Sequence, residues 1–424
     1  MSDTRSASRR PLFIDMTSAW QERGRIAHGT TRVERGIVAG LAGMGVPDLQ
    51  FCRYDRGQSR FIPVAREAAL EAATAKEVPE RRRGPVPSWR RHALTEAGKR
   101  AEAWVRHNIR DPFRARRARS APAADETPFV PGSTLLIPGE LQRQDFTLLA
   151  RLKRQLPLRL AFVFYDLLDV LPADDPRLRN PAAHDLPSSD FITREADQVL
   201  AISEHSRRIL LGHFAARGVE GPPVAVFRLG HDVRAAAADA AAVPGLRAGE
   251  FVLTVGDVVP RKNHALLVDV WRRLLRQCPA AVKPLIIVGR VHAAGTLLTE
   301  AIARDPVLGT NVRVLSNIDD RQLNWLYANC QFTVFPSLAE GYGLPVAESL
   351  AAGKVCVASS STSLPEASQG CAIHLDPGDL EAWVAAVERL LVDPVELRRQ
   401  MQRLSQFRPQ RWSDAAADIL RVLA

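Results

Sequence analysis

The chain has 424 residues, 46% of them hydrophobic and 25% charged, the balance of a folded protein too long for one core and suited to two domains. No run of eighteen uncharged apolar residues occurs, and the opening MSDTRSASRRPLFID has no apolar signal core, so neither a helical membrane span nor a secretory leader is expected. Five scattered cysteines, Cys52, Cys278, Cys330, Cys356 and Cys371, are odd in number and lack metal-ligand spacing, which predicts reduced thiols in a cytoplasmic protein.

Leu12 to Ile14 begins a short strand. Gly24 and Gly29 then mark a loop, and Val33, Ile37, Val38 and Leu41 recur at helical spacing. Strand, glycine-bearing loop and helix form the unit of an α/β fold. Further strands are expected at 49–54 and 60–64, and an Ala/Glu-rich helix at 66–78.

Residues 79–128 break this pattern. Between positions 81 and 119 stand thirteen Lys and Arg against three acids, an excess equal to the net charge of +10 of the whole chain. Trp89, Trp104 and Phe113 are interleaved with these cations. Such a segment suits an anionic membrane face, with the aromatic rings in the interface. It also fits a solvated insertion without a partner, or a clasp for single-stranded nucleic acid. No nucleic-acid motif accompanies it, and none is expected as a partner.

Order returns with strands at 133–137 and 158–165, a helix end and strand within 195–202, a helix capped by Ser203-Glu204-His205-Ser206, and a strand at 224–227. Residues 235–249 read as a linker of Ala, Pro and Gly. A second series follows: strands at 251–255, 284–288, 312–315, 332–335, 355–359 and 372–375, alternating with helices at 264–275, 319–327 and 380–391. Strands alternating with helices in both halves predict two parallel doubly wound sheets, with the ligand in the crevice at the strand carboxyl ends. The expected domains are 1–240 and 241–405, followed by a last helix, 406–424.

Two stretches of the second half carry chemistry. After the strand ending at Phe335 comes Glu340-Gly341-Tyr342-Gly343-Leu344-Pro345-Val346-Ala347-Glu348. The glycines let a ligand approach the backbone, and a Pro in the first turn marks a helix start whose free N–H groups suit a phosphate. The two carboxylates would accept hydrogen bonds from hydroxyls, so a ligand with hydroxyls and phosphates is implied. The other stretch, Gly256-Asp257-Val258-Val259-Pro260-Arg261-Lys262-Asn263, puts two cations at a helix start after the first strand of the same half, a setting for a diphosphate. Both turns belong to strand ends of one sheet and should meet in one crevice.

With these residues the chain resembles the GT-B glycosyltransferases of family 4, the glycosyl transferases group 1, most clearly from 251 to 391. The resemblance implies two Rossmann-like domains facing a cleft and transfer of a sugar, with retention, from a nucleoside-diphosphate sugar to an acceptor hydroxyl. A lipid-linked oligosaccharide of bacterial surface polysaccharide synthesis is the expected acceptor. It implies Glu340 on the hydroxyls of the donor sugar, Glu348 on the ribose, and Gly341, Tyr342, Gly343 and Leu344 together with Gly256 along the phosphates. Arg261 and Lys262 would take the leaving diphosphate, and Asn317 and Ile318 the base edge. In the first half, Gly29 matches the first-loop glycine and Asp166 the Asp of a His-Asp-Leu segment, with Tyr165 in place of the His. Ser203-Glu204-His205-Ser206 matches a Ser-Glu-x-Ser element, and Trp412-Ser413 the segment that crosses back. No cofactor and no metal are expected, since Asp-x-Asp is missing. A nucleotide-sugar epimerase of the same fold and a non-enzymatic nucleic-acid-binding protein stand as alternatives.

Overall fold

The computed structural model describes residues 11–27, 29–75, 127–166, 187–231 and 240–424. The basic segment 81–119 with its aromatic residues, His28 and Asp232 lie outside the described residues.

Among the described residues the first sheet has seven strands: β1 (Leu12–Asp15), β2 (Leu49–Asp55), β3 (Arg60–Val64), β4 (Thr134–Ile137), β5 (Arg159–Phe164), β6 (Gln198–Ala201) and β7 (Val224–Val226). Their order is β3-β2-β1-β4-β5-β6-β7. The second has six: β8 (Val252–Val255), β9 (Leu285–Val288), β10 (Val312–Leu315), β11 (Thr333–Phe335), β12 (Cys356–Ser359) and β13 (Ile373–Leu375), ordered β10-β9-β8-β11-β12-β13. The interior strands are almost wholly apolar because helices cover both faces; β5 reads RLAFVF, with five of its six residues buried. In each sheet the strand order reverses once, between β1 and β4 and between β8 and β11, and a crevice opens at the carboxyl ends there.

The sheets are parallel, as expected, except at one edge of the first. β2 and β3 pair antiparallel, with Phe51 opposite Val64. Residues 56–59 join them, too short a link for a parallel crossover, so the chain turns back as a hairpin. The helix expected over 66–78 ends at Thr74. Periodicity did not single out the helices Thr296–Arg304, Pro306–Asn311 and Pro394–Arg403.

Local chemistry explains where the main helices start. His264–Gln277 buries Leu267, Val268, Trp271 and Leu274 along one stripe. Asp319 and Gln322 form a capping box for Asp320–Asn329. Ser203 caps Glu204–Ala216 by accepting from the Ser206 N–H. The last helix, Trp412–Leu423, buries Ala415, Ala416 and Ile419 against the helix Gly29–Gly43 of the first domain. His231 secures the chain on its way there: its Nδ1 faces the Leu229 carbonyl at 3.2 Å, while Nε2 accepts from the Gln410 N–H at 3.1 Å. All five cysteines carry free thiols.

Candidate active site between the two domains

The loop after β8 and the loop after β11 lie on either side of the second sheet's reversal point, and the structure laces them together. Pro260–Lys262 forms one 3-10 turn, and Asn263 follows with a left-handed backbone. The Asn263 side-chain amide donates to the carbonyls of Pro336 and Pro377 at 3.2 and 3.0 Å. The Leu338 N–H donates to the Arg261 carbonyl at 2.9 Å. So held, Lys262 Nζ lies 2.5 Å from Glu340 Oε1, and Arg261 Nη1 lies 2.9 Å from Glu340 Oε2. Glu340 is 8% exposed. Burial alone would raise its carboxyl; the charges of Lys262 and Arg261, with hydrogen bonds from Lys262 and Ser337, overcome that and hold it at about 2.

The glycines of the turn are there for space. Gly343 has a φ of 106°, and a Cβ on it would strike Leu364. A Cβ on Gly341 would lie 2.6 Å from the Tyr165 carbonyl oxygen and 2.9 Å from Asp166 Oδ2. The turn therefore touches the first domain directly. Ser203 Oγ and Ser206 Oγ donate to the Gly341 carbonyl at 2.7 and 3.0 Å, and the Glu204 N–H lies 3.0 Å from both oxygens of Glu366. The Ser-Glu-x-Ser element is thus a clamp between the domains.

Glu348, in the helix Leu344–Ala351, is 2% exposed. Its Oε1 is 2.7 Å from Arg32 Nη2, and its Oε2 accepts from the Tyr327 hydroxyl at 3.0 Å. Burial pushes its carboxyl up, with Arg32 and Tyr327 opposing.

A cavity of about 370 Å³ opens beside this turn in the first domain, lined by Thr30, Gly139, Glu140, Tyr165, Asp166 and Ser189 among others. Tyr165, which stands in place of the His of the resembled segment, donates its hydroxyl to the Pro138 carbonyl, which ties the ends of β4 and β5 together. Below the cavity are two buried carboxyls. Burial raises both Asp15 and Glu34, and a Cβ on Gly139 would lie 2.6 Å from Glu34 Oε2.

The structure brings Arg261, Lys262, Glu340, Gly341, Gly343, Leu344 and Glu348 together at one place, with Asp166 against Gly341. Gly256 adjoins Lys262, whose Cε would lie 3.3 Å from a Cβ there. Tyr342 turns its ring into the core and is buried, so only its backbone faces the turn. Gly29 opens a helix rather than sitting in the loop before it. Asn317, left-handed at φ 64°, and Ile318 follow the edge strand β10, two strands from β8. Sequence reasoning did not pair Arg32 with Glu348 or Ser203 with Gly341; each pair joins residues of different domains.

Residues 244–406 match the family described as glycosyl transferases group 1. The chain is 32% identical over 143 residues to the O-antigen chain mannosyltransferase B of Escherichia coli, a match covering 34% of this chain and 37% of that protein. It is 36% identical over 104 residues to the MMP alpha-(1->4)-mannosyltransferase of Mycolicibacterium hassiacum, covering 24% and 25%. The chain thus spans well under two thirds of either relative. Among solved structures it resembles sucrose-phosphate synthase from Thermosynechococcus elongatus, with a TM-score of 0.61, 18% identity and 98% of both chains covered. It also resembles Anabaena HepE in complex with UDP and glucose, with a TM-score of 0.60, 17% identity and 97% and 98% covered. These structural likenesses carry the GT-B fold.

Proposed function

We propose that the chain is a glycosyl transferase of group 1, on the match of residues 244–406, and that it transfers a sugar, with retention, from a nucleoside-diphosphate sugar to an acceptor hydroxyl. The observation that carries this is the convergence of Arg261, Lys262 and Glu340 with the glycine turn and Glu348 at the carboxyl ends of β8 and β11.

In this reading the ribose hydroxyls donate to Glu348, and the diphosphate lies along the backbone of Gly341 to Leu344. Arg261 and Lys262 take the charge that develops as the diphosphate leaves, the largest contribution expected in such a site. These cations already neutralise Glu340, and the same heads can turn to phosphate oxygens. Glu340, ionised at every physiological pH, accepts from hydroxyls of the transferred sugar. The acceptor enters the first-domain cavity beside Asp166, whose carboxylate can accept its hydroxyl proton. With two side-chain cations and a helix start at the leaving group, the reaction is assigned no metal. Mannose is the sugar assigned first, because several of the curated relatives are mannosyltransferases by name. A lipid-linked glycan is the assigned acceptor. The basic segment 81–119 would bring the enzyme to the anionic membrane that holds it. Among the described residues no helix is long and apolar enough to cross a membrane.

The test incubates the full chain with GDP-mannose, UDP-glucose and UDP-N-acetylglucosamine, with and without a lipid-linked oligosaccharide, in buffer with and without EDTA. Release of nucleoside diphosphate that requires the acceptor and survives EDTA is the expected result. A changed nucleotide sugar without acceptor would point to the epimerase. Loss of transfer in EDTA, restored by Mg²⁺ or Mn²⁺, would remove the metal-free assignment.

A further inference from the structure

The ion pair on Glu348 crosses from one domain to the other. Arg32 stands in the first turns of the helix Gly29–Gly43, whereas Glu348 and Tyr327 belong to the second domain. We propose that Arg32 is a positioning residue of the nucleotide site, holding the Glu348 carboxylate as ribose acceptor, so that this site is complete only when the two domains stand together. The proposal rests on the assignment of Glu348 to the ribose made above.

The physical argument starts from burial. A carboxylate removed from water is costly to keep charged unless a counter-ion and hydrogen bonds meet it. Among the described residues, the charged and titratable groups facing Glu348 are Arg32 from the first domain and Asp320 and Tyr327 from the helix Asp320–Asn329. Asp320 repels the carboxylate charge and Tyr327 supplies one hydrogen bond, so Arg32 is the charge that favours the ionised form. A protonated Glu348 is a poorer acceptor for ribose hydroxyls than the carboxylate. Moving the first domain away takes Arg32 with it. Separation of the domains therefore loosens the grip on the nucleotide, and closure restores it, without any change within the second domain.

The measurement is titration calorimetry of the full chain with UDP and with GDP, repeated across a series of buffers from about pH 8 downwards, because burial raises the Glu348 carboxyl. Arg32→Gln should bind the preferred nucleotide about tenfold more weakly near neutrality, the usual worth of one charge-assisted hydrogen bond. Its affinity should also begin to fall at a higher pH on acidification than that of the wild type, because Glu348 then protonates more readily. Arg32→Lys, which keeps the charge, should return the pH profile towards wild type. Loss of binding in Glu348→Ala together with wild-type affinity and pH profile in a folded Arg32→Gln would overturn the coupling while leaving the ribose assignment in place. Undiminished binding by Glu348→Ala would take the nucleotide away from this carboxylate and overturn both.

Discussion

Lys262 and Glu340 are 2.5 Å apart in a setting that leaves Glu340 little water, and this distance governs what either residue can do. Truncating Lys262 takes one of two cations from the carboxylate, leaving it Arg261 and the Ser337 hydrogen bond, and removes one aimed cation from the leaving diphosphate. Lys262→Ala is expected to lower transfer about a hundredfold with an unchanged circular dichroism spectrum; a folded variant within a few-fold of wild type would refute the assignment. His264, next in the chain but one, tests the same corner through pH. Burial, aided by the Lys262 charge, holds its imidazole at about 4, below its ordinary 6.5, and among the described residues its Nδ1 has no hydrogen-bond partner. The folded state thus favours neutral His264. The stability this contributes is fully present above about pH 6.5 and is lost as the pH falls towards 4. His264→Gln should flatten the fall of the melting temperature over that window, which a series of thermal melts would show.

At the scale of elements, the first domain and the last helix fit through absent side chains. The helix Gly29–Gly43 presents Gly36 and Gly40 to Trp412; a Cβ on Gly36 would overlap its ring, and one on Gly40 its carbonyl oxygen. A Cβ on Gly230 would lie 2.6 Å from the Trp412 backbone nitrogen. Backbone atoms cannot rotate away as a side chain can, so Gly40→Ala must push the Trp412–Leu423 helix outward. The expected loss is about 1–3 kcal/mol, the range for overpacking, seen as a lower melting temperature; an unchanged one would show that the helix shifts freely. Trp412 and Ser413 are recognisable in the chain as a crossing segment, but the matching glycines are not. Inside a helix a glycine is ordinarily a weakness, and its use appears only when the neighbour is known.

For the whole molecule, function depends on how the two domains meet. Ser203 and Gly341 are 138 positions apart, yet this hydrogen bond, with that of Ser206, closes the cleft over the turn that carries the site. Replacing both serines, Ser203→Ala with Ser206→Ala, should lower transfer about tenfold, as two buried hydrogen bonds imply, and enlarge the particle in small-angle X-ray scattering. A compact double variant with full activity would show that closure has other sources. The alternation of strands and helices was legible along the chain because a strand buried on both faces must be an apolar run and its covering helix must repeat every 3.6 residues. The stretch from Glu340 to Glu348 was legible for a similar reason, since turn, helix start and carboxylates are all local. The antiparallel β3 was not read from its pattern, although the shortness of 56–59 contains it. Nothing local announces that Arg32 meets Glu348, that Tyr342 turns inward, or that Lys262 spends its charge on Glu340. Those pairings follow from the placement of one sheet's loops against each other and of one domain against the other. Hydrophobic periodicity encodes which face of an element is buried; which charges then find each other is settled by distances between elements far apart in the chain.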